Sequence, residues 1–322
     1  MTRTWYGCAG IALWGMVGVG DALAGPLNFD LLYEFHSSGF NQEFGQAVSG
    51  AGDVNNDGYD DFVVGSPRYE LDGVRTGAAF VYSGLDGSTL FSLHDDEAFS
   101  DFGNAVTALG DLNNDGHADF AVASKLADVN GFDTGRVRVF SGADGSTLFT
   151  AAGDDRNQHF GSAISNAGDI NRDGVPDLIV GAPKVNNGQI NNGRAQILSG
   201  ANGSVIRTME GSNYDARFGF DVAGAGDFNN DGFDDVIIGE NGRSYGGFES
   251  GAAHVISGEN GEVLRIFGDQ QTRAGFGTSV SCAGDLNGDG FDDVIVGVPS
   301  SDDAAPGAGK AVVLSGKDGT EI

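Results

Sequence analysis

An internal disulfide is not expected in the mature chain: the 322 residues hold two cysteines, Cys8 and Cys282, and the first lies in a segment read below as an export signal. Something other than a covalent staple must secure the fold. Proline is scarce at 6 residues, and Lys and Arg number 17 against 46 Asp and Glu, a formal net charge of −29. Such a polyanion repels phosphate backbones and anionic headgroups, and no basic patch offsets it, which argues against nucleic-acid binding and polybasic membrane docking. After residue 24 no apolar run is long enough to insert directly into a bilayer. Disorder is disfavoured by what is present, 22 Phe and 40% hydrophobic residues, enough for a sizeable core.

The first 24 residues read as an address. Arg3 precedes an apolar stretch from Trp5 to Val19, and Ala22-Leu23-Ala24 supplies the small-x-small pattern that a signal peptidase accepts. A transmembrane anchor would need about 20 apolar residues, and this run is shorter and Gly-rich. Cleavage is predicted after Ala24, leaving residues 25–322 as one exported domain, secreted, periplasmic or at the cell surface. Arg3 and Asp21 leave together, so the charge stays at −29.

Self-similarity dominates the rest. Phe-Gly recurs at Phe44, Phe102, Phe160, Phe218 and Phe276, always 58 residues apart. Each copy continues with an Asp-rich loop, an apolar run and a Ser-Gly turn, at Ser83, Ser141, Ser199, Ser257 and Ser315. Four short strands are predicted per unit. The first, such as Gln46 to Gly50, is built of small residues. The second, such as Leu178-Ile179-Val180, is apolar on both faces, as a doubly buried strand must be. The third alternates, as in Arg136-Val137-Arg138-Val139, and the fourth follows an Asp-Gly turn. No segment shows helical periodicity over three turns.

These features predict an all-β fold, a β-propeller of four-stranded blades, because closing a ring leaves few exposed sheet edges. A linear solenoid would need capping segments, and none is evident. Leu32 lies 58 residues before Leu90, the fourth-strand position, so the N-terminal strand is expected to complete the last blade. A piece of a longer propeller is the competing explanation. Cys282 stands where the other units have Gly50, Ala108, Asn166 and Gly224, and reads as a small packed residue.

Each unit carries Asp-x-Asn-x-Asp-Gly-x-x-Asp. The five sets are Asp53, Asn55, Asp57, Asp61; Asp111, Asn113, Asp115, Asp119; Asp169, Asn171, Asp173, Asp177; Asp227, Asn229, Asp231, Asp235; and Asp285, Asn287, Asp289, Asp293. Side-chain oxygens at positions 1, 3, 5 and 9 can converge if the backbone curls, and Gly at position 6 permits the curl. The carbonyl of position 7, at Tyr59, His117, Val175, Phe233 and Phe291, would add a fifth ligand. An all-oxygen set of flexible geometry selects calcium over zinc or copper, and suits it better than magnesium. Five ions would bring the charge from −29 to −19. A solvated turn is the bland alternative for a single loop, and five copies in one register speak against it. An EF-hand is excluded: position 12 is Val64, Val122, Val180, Ile238 or Val296 in place of Glu, and no helices flank the loop.

Phe-Gly, the Asp loop and Gly-x-Pro after the second strand (Gly65-Ser66-Pro67, Gly181-Ala182-Pro183, Gly297-Val298-Pro299) resemble the FG-GAP repeat of integrin alpha subunits, also known from glycosylphosphatidylinositol-specific phospholipase D and exported bacterial proteins. The resemblance spans about residues 27 to 322. It implies a propeller with calcium in each loop between first and second strands, and an integrin-alpha-like role in extracellular adhesion or ligand binding. Gly-x-Pro is lost at Ala123-Ser124-Lys125 and Gly239-Glu240-Asn241. Integrin propellers have seven blades against five units here, and no further integrin domain fits the length.

Catalysis has little support. His36, His94, His117, His159 and His254 form no spaced metal pair and read as surface polar residues. No nucleophile elbow, Cys–His dyad or phosphate loop is present. The segments between second and third strands differ most among units (68–76, 125–134, 184–192, 241–250, 300–308) and carry Tyr69, Phe132, Tyr245 and Phe248. Variable loops on a rigid frame suit binding. The expectation is a calcium-dependent, non-catalytic binding module with an extracellular protein or glycan as ligand. The alternatives are an exported hydrolase or lyase using a central funnel, and a fragment of a larger seven-bladed protein.

Overall fold

The computed structural model describes residues 32–37 and 39–322; the expected cleavage site, Cys8 and Leu31 lie outside them. Twenty-one strands and no helix form among the described residues. The first unit runs β1 (Ala47–Gly52), β2 (Asp61–Ser66), a small hairpin of β3 (Glu70–Leu71) and β4 (Val74–Arg75), β5 (Ala78–Tyr82) and β6 (Thr89–His94). The second comprises β7 (Phe102–Gly110), β8 (Asp119–Ser124), β9 (Arg136–Phe140) and β10 (Thr147–Ala152). The third comprises β11 (Ile164–Gly168), β12 (Asp177–Ala182), β13 (Arg194–Leu198) and β14 (Val205–Glu210). The fourth comprises β15 (Phe218–Gly226), β16 (Asp235–Glu240), β17 (Ala252–Ile256) and β18 (Val263–Gly268). Each folds into a four-stranded antiparallel meander, the hairpin aside, while β19 (Ser279–Gly284), β20 (Asp293–Val298) and β21 (Lys310–Leu314) make a three-stranded fifth sheet.

The apolar runs take the place expected of them: β8, β12 and β16 are buried along their whole length. The alternation in β9 also holds, with Val137 and Val139 buried and Arg136 and Arg138 half-buried. First strands pack against one another in sequence, β1 on β7, β7 on β11, β11 on β15 and β15 on β19. Each ends in a β-bulge, at Gly52, Gly110, Gly168, Gly226 and Gly284, that kinks the chain into the Asp loop.

Phe-Gly is the joint between units. Phe102, Phe218 and Phe276 form parallel bridges to Gly77, Gly193 and Gly251, the residues just before the third strand of the preceding unit. At Gly193, φ is +83° and a Cβ would lie 2.1 Å from the Phe218 carbonyl oxygen, so only glycine allows this approach.

Four hydrophobic cores fill the gaps between consecutive sheets, represented by Val81 with Phe120, Val139 with Val180, Ile197 with Ile238, and Val255 with Val296. The expected closing of the last blade by the N-terminal strand is not what residues 32–37 do. They form no strand, and Tyr33 and Phe35 lie on the first sheet, with Phe35 4.2 Å from Tyr82 between ring centroids and the Tyr33 hydroxyl donating to Leu85 O at 2.8 Å. The edge of β21 is met instead by the chain's own end, where Leu314 bridges Glu321. Tyr33 does keep the phase read from the sequence: it lies against Gly87 as Phe91 lies against Gly145.

Candidate functional site

Two turns converge at one end of every sheet, the Asp loop between first and second strands and the Ser-Gly turn between third and fourth. In the first loop Asp53 accepts the amides of Asp57 and Gly58 at 2.9 and 2.8 Å, Asn55 accepts that of Asp57 at 3.0 Å, and Asp57 accepts that of Tyr59 at 2.9 Å. The curl this requires puts Gly58 at φ +90° and Asn56 at +57°. The same main-chain bonds recur around Asp111, Asp169, Asp227 and Asp285. Positions 1, 3 and 5 are thus gathered around one bend in all five copies.

Position 9 is the buried member. Asp61, Asp119, Asp177, Asp235 and Asp293 each accept the amide of the Ser-Gly glycine, Gly84, Gly142, Gly200, Gly258 or Gly316, at 2.9 to 3.1 Å. This ties loop to turn and explains why the two motifs recur together. In four loops the other oxygen accepts an amide from position 2 or 3. In the fourth, Asp235 Oδ2 is buried outside normal hydrogen-bond geometry, with the Asn229 amide nearby. Burial raises the carboxyls of Asp61 and Asp119, and pushes Asp177 up to about 6 and Asp235 up to about 7, with nearby loop carboxylates adding to each shift. Crowded, half-desolvated carboxylates of this sort fit a hard cation. No three carboxylate, imidazole or thiolate side chains among the described residues are already gathered as a metal cluster, so Asn oxygens and main-chain carbonyls would have to complete the shell.

Neighbouring loops also touch. Asp234, position 8 of the fourth loop, accepts the amide of Asp169 at 3.1 Å, and Asp292, position 8 of the fifth, accepts that of Asp227 at 2.9 Å. Arg172 donates to Gly232 O and stacks on Phe233. Between the first two loops the Ala118 amide reaches Asp53 O at 3.0 Å, and His117 Nδ1 lies 2.7 Å from Val54 O. His117 is therefore a half-buried link and not a surface residue.

The segments singled out as variable lie at the opposite end of the sheets and share one backbone design from the second unit onward. Asp128, Asn186, Ser244 and Asp302 accept the amides of Asp133, Asn191, Glu249 and Gly307, all of which have positive φ. Immediately before each of these lies Phe132, Ile190, Phe248 or Pro306, with Val74 the equivalent in the first unit. These tips, again 58 residues apart, are exposed, Phe132 by 62% and Phe248 by 57%. Tyr245 is likewise exposed, whereas Tyr69 packs on Phe80 and His94.

Two buried charge groups at this end escaped the sequence reading. Asp95 is held by Arg136, Arg138 and the hydroxyls of Ser100 and Ser124. Burial alone would raise its carboxyl, but the Ser100 hydroxyl and the guanidinium groups hold it at about 2. Glu240 accepts from His254 at 2.7 Å and Arg243 at 2.9 Å, so His254 is a core residue and not a surface one. His159 is half-buried, and burial with Lys184 and Lys125 nearby lowers its imidazole to about 4.

Residues 44–82, 102–140, 160–198, 218–256 and 276–314 match the FG-GAP repeat. The chain is 30% identical to integrin alpha-5 of Xenopus laevis over 234 residues, 66% of this chain and 21% of that protein. It is 32% identical to integrin alpha-4 of Xenopus laevis over 256 residues, 71% and 23% respectively. The aligned part of the chain spans about a fifth of the length of these relatives. Among solved structures, the Bacillus licheniformis rhamnogalacturonan lyase PL11 aligns with a TM-score of 0.50 and 16% identity over 85% of this chain and 49% of that one, a likeness of fold alone. With its five matched units covering most of its length, the chain belongs to the FG-GAP repeat family and resembles the N-terminal domain of integrin alpha subunits.

Proposed function

We propose that this is a calcium-stabilised, non-catalytic module that binds an extracellular protein or glycan through the loop face opposite the Asp loops. Asp53, Asn55, Asp57 and Asp61, with their counterparts in the other four units and the position-7 carbonyls, would hold the ions. Calcium would neutralise carboxylates that otherwise repel one another, taking the role disulfides play elsewhere. At calcium about tenfold above a weak dissociation constant each site adds about 1.4 kcal/mol, so five acting on one cooperative unit add about 7 kcal/mol.

The ring itself belongs to this proposal. Val48 on the first sheet is 69% exposed, whereas its equivalents Val106, Ile164, Val222 and Val280 are 8% or less. At the other end of the series Leu286 is 61% exposed, against 6% or less for Val54, Leu112, Ile170 and Phe228. Each of these apolar side chains is buried wherever a neighbouring sheet exists. Packing of the fifth sheet on the first would cover both and close a propeller; further units in a longer protein would do the same.

The observation that carries the binding reading is the row of exposed apolar tips, held by repeated hydrogen bonds at places where solubility favours polar residues. Protein and glycan arrays probed with the whole chain in calcium test it. Phe132→Ser with Phe248→Ser is expected to abolish capture without changing the melting temperature. Capture that survives the double substitution, or turnover of a polysaccharide that depends on carboxylates outside the loops, would overturn it.

A further inference from the structure

The Asp loops are joined to one another unevenly along the row. Loop three is tied to loop four by Asp234 Oδ2 on the Asp169 amide and by Arg172 on Gly232 O, and loop four to loop five by Asp292 Oδ2 on the Asp227 amide. Each accepting carboxylate sits next to the buried position-9 Asp of its own loop and grips the first candidate ligand of the loop before it. The bulge glycines leave room for this: a Cβ at Gly168 or Gly226 would lie 2.1 Å from Asp234 Oδ2 or Asp292 Oδ2. Loops one and two are tied differently, through the Ala118 amide and the His117 ring. Between loops two and three the corresponding residue is Pro176, which has neither a carboxylate nor an N–H to offer.

We propose that the five loops work as two coupled groups, one and two together and three to five together, with Asp234 and Asp292 as the positioning residues that link metal binding within the second group and Pro176 as the break. This rests on the calcium reading above. The buried Asp235 Oδ2, which lacks a well-formed hydrogen bond, supports it, because an ion drawn to that oxygen in loop four would also fix Asp234 beside it, and through Asp234 the main chain of Asp169 in loop three. Filling one loop then lowers the ordering cost of the next, which is positive coupling between sites.

Calcium titration of the whole chain followed by NMR tests this, because the amides of Gly58, Gly116, Gly174, Gly232 and Gly290 each report their own loop. The expected result is concerted, steep shifts of Gly174, Gly232 and Gly290, separate from the shared transition of Gly58 and Gly116. Asp234→Ala combined with Arg172→Ala should move the Gly174 midpoint to higher calcium by about three- to tenfold and leave Gly58 and Gly116 in place. Asp234→Asn, which retains an accepting oxygen, should restore most of the coupling in the Arg172 wild-type background. The converse substitution Pro176→Asp should bring Gly116 and Gly174 into one transition, since a Cβ at Gly110 meets nothing within 4 Å. Five independent transitions in the wild type, or an unmoved Gly174 midpoint in the double variant, would overturn the coupling while leaving calcium binding intact. No calcium-dependent shift in any of the five glycines would overturn the calcium reading and the coupling together.

Discussion

Asp95 shows how much a single buried charge can carry in this chain. Its side chain is fully buried, with two arginines and two hydroxyls turned toward it. Asp95→Ala would leave Arg138 half-buried without its anion and Arg136 with only the more distant Asp96 and Glu97, each at 3.8 Å, and a loss of about 3 to 5 kcal/mol is expected in urea unfolding. A loss under about 1 kcal/mol would mean the arginines find water instead. The pH dependence has a definite sign. Because the folded carboxyl sits at about 2, below its ordinary 3.8, its stabilisation is complete above pH 3.8 and is lost as pH falls toward 2. Asp95→Asn should flatten the unfolding profile in that window.

At the scale of strands and loops, glycine placement decides whether units can meet. Gly193→Ala would force a Cβ into the Phe218 main chain at a φ of +83°, and a destabilisation of at least about 2 kcal/mol is expected from the shift in unfolding midpoint. An unchanged midpoint would show that the joint can open without cost. Strand order, the doubly buried second strand and the bend that gathers positions 1, 3 and 5 were legible, because each depends on residues close together in one unit. The links at Asp234 and Asp292 were not, since position 8 is unspecified in the motif and each partner lies 65 residues away. The loop tips were hidden for a different reason. Val74, Phe132, Ile190, Phe248 and Pro306 hold the 58-residue spacing but differ in chemistry, so the segments look merely variable. The burial of His254 was hidden because its partner Glu240 becomes its neighbour only when β16 and β17 pair, with His254 opposite Ile238 and Glu240 two residues along the same strand, opposite Ala252.

For the molecule as a whole, five sheets share four cores and the net charge is −29. The Asp loops lie where successive sheets meet, with Val54, Leu112, Ile170 and Phe228 anchoring four of them in the cores. Metal bound there would stiffen the joints as well as the loops, and its removal would restore the repulsion among the carboxylates. Differential scanning calorimetry of the whole chain in millimolar calcium and in excess chelator tests this most directly. The expected result is a single transition in calcium that falls by well over 10 °C on chelation and returns when calcium is added back, in line with a contribution of about 7 kcal/mol from five sites. Superimposable melting curves in calcium and chelator would contradict it.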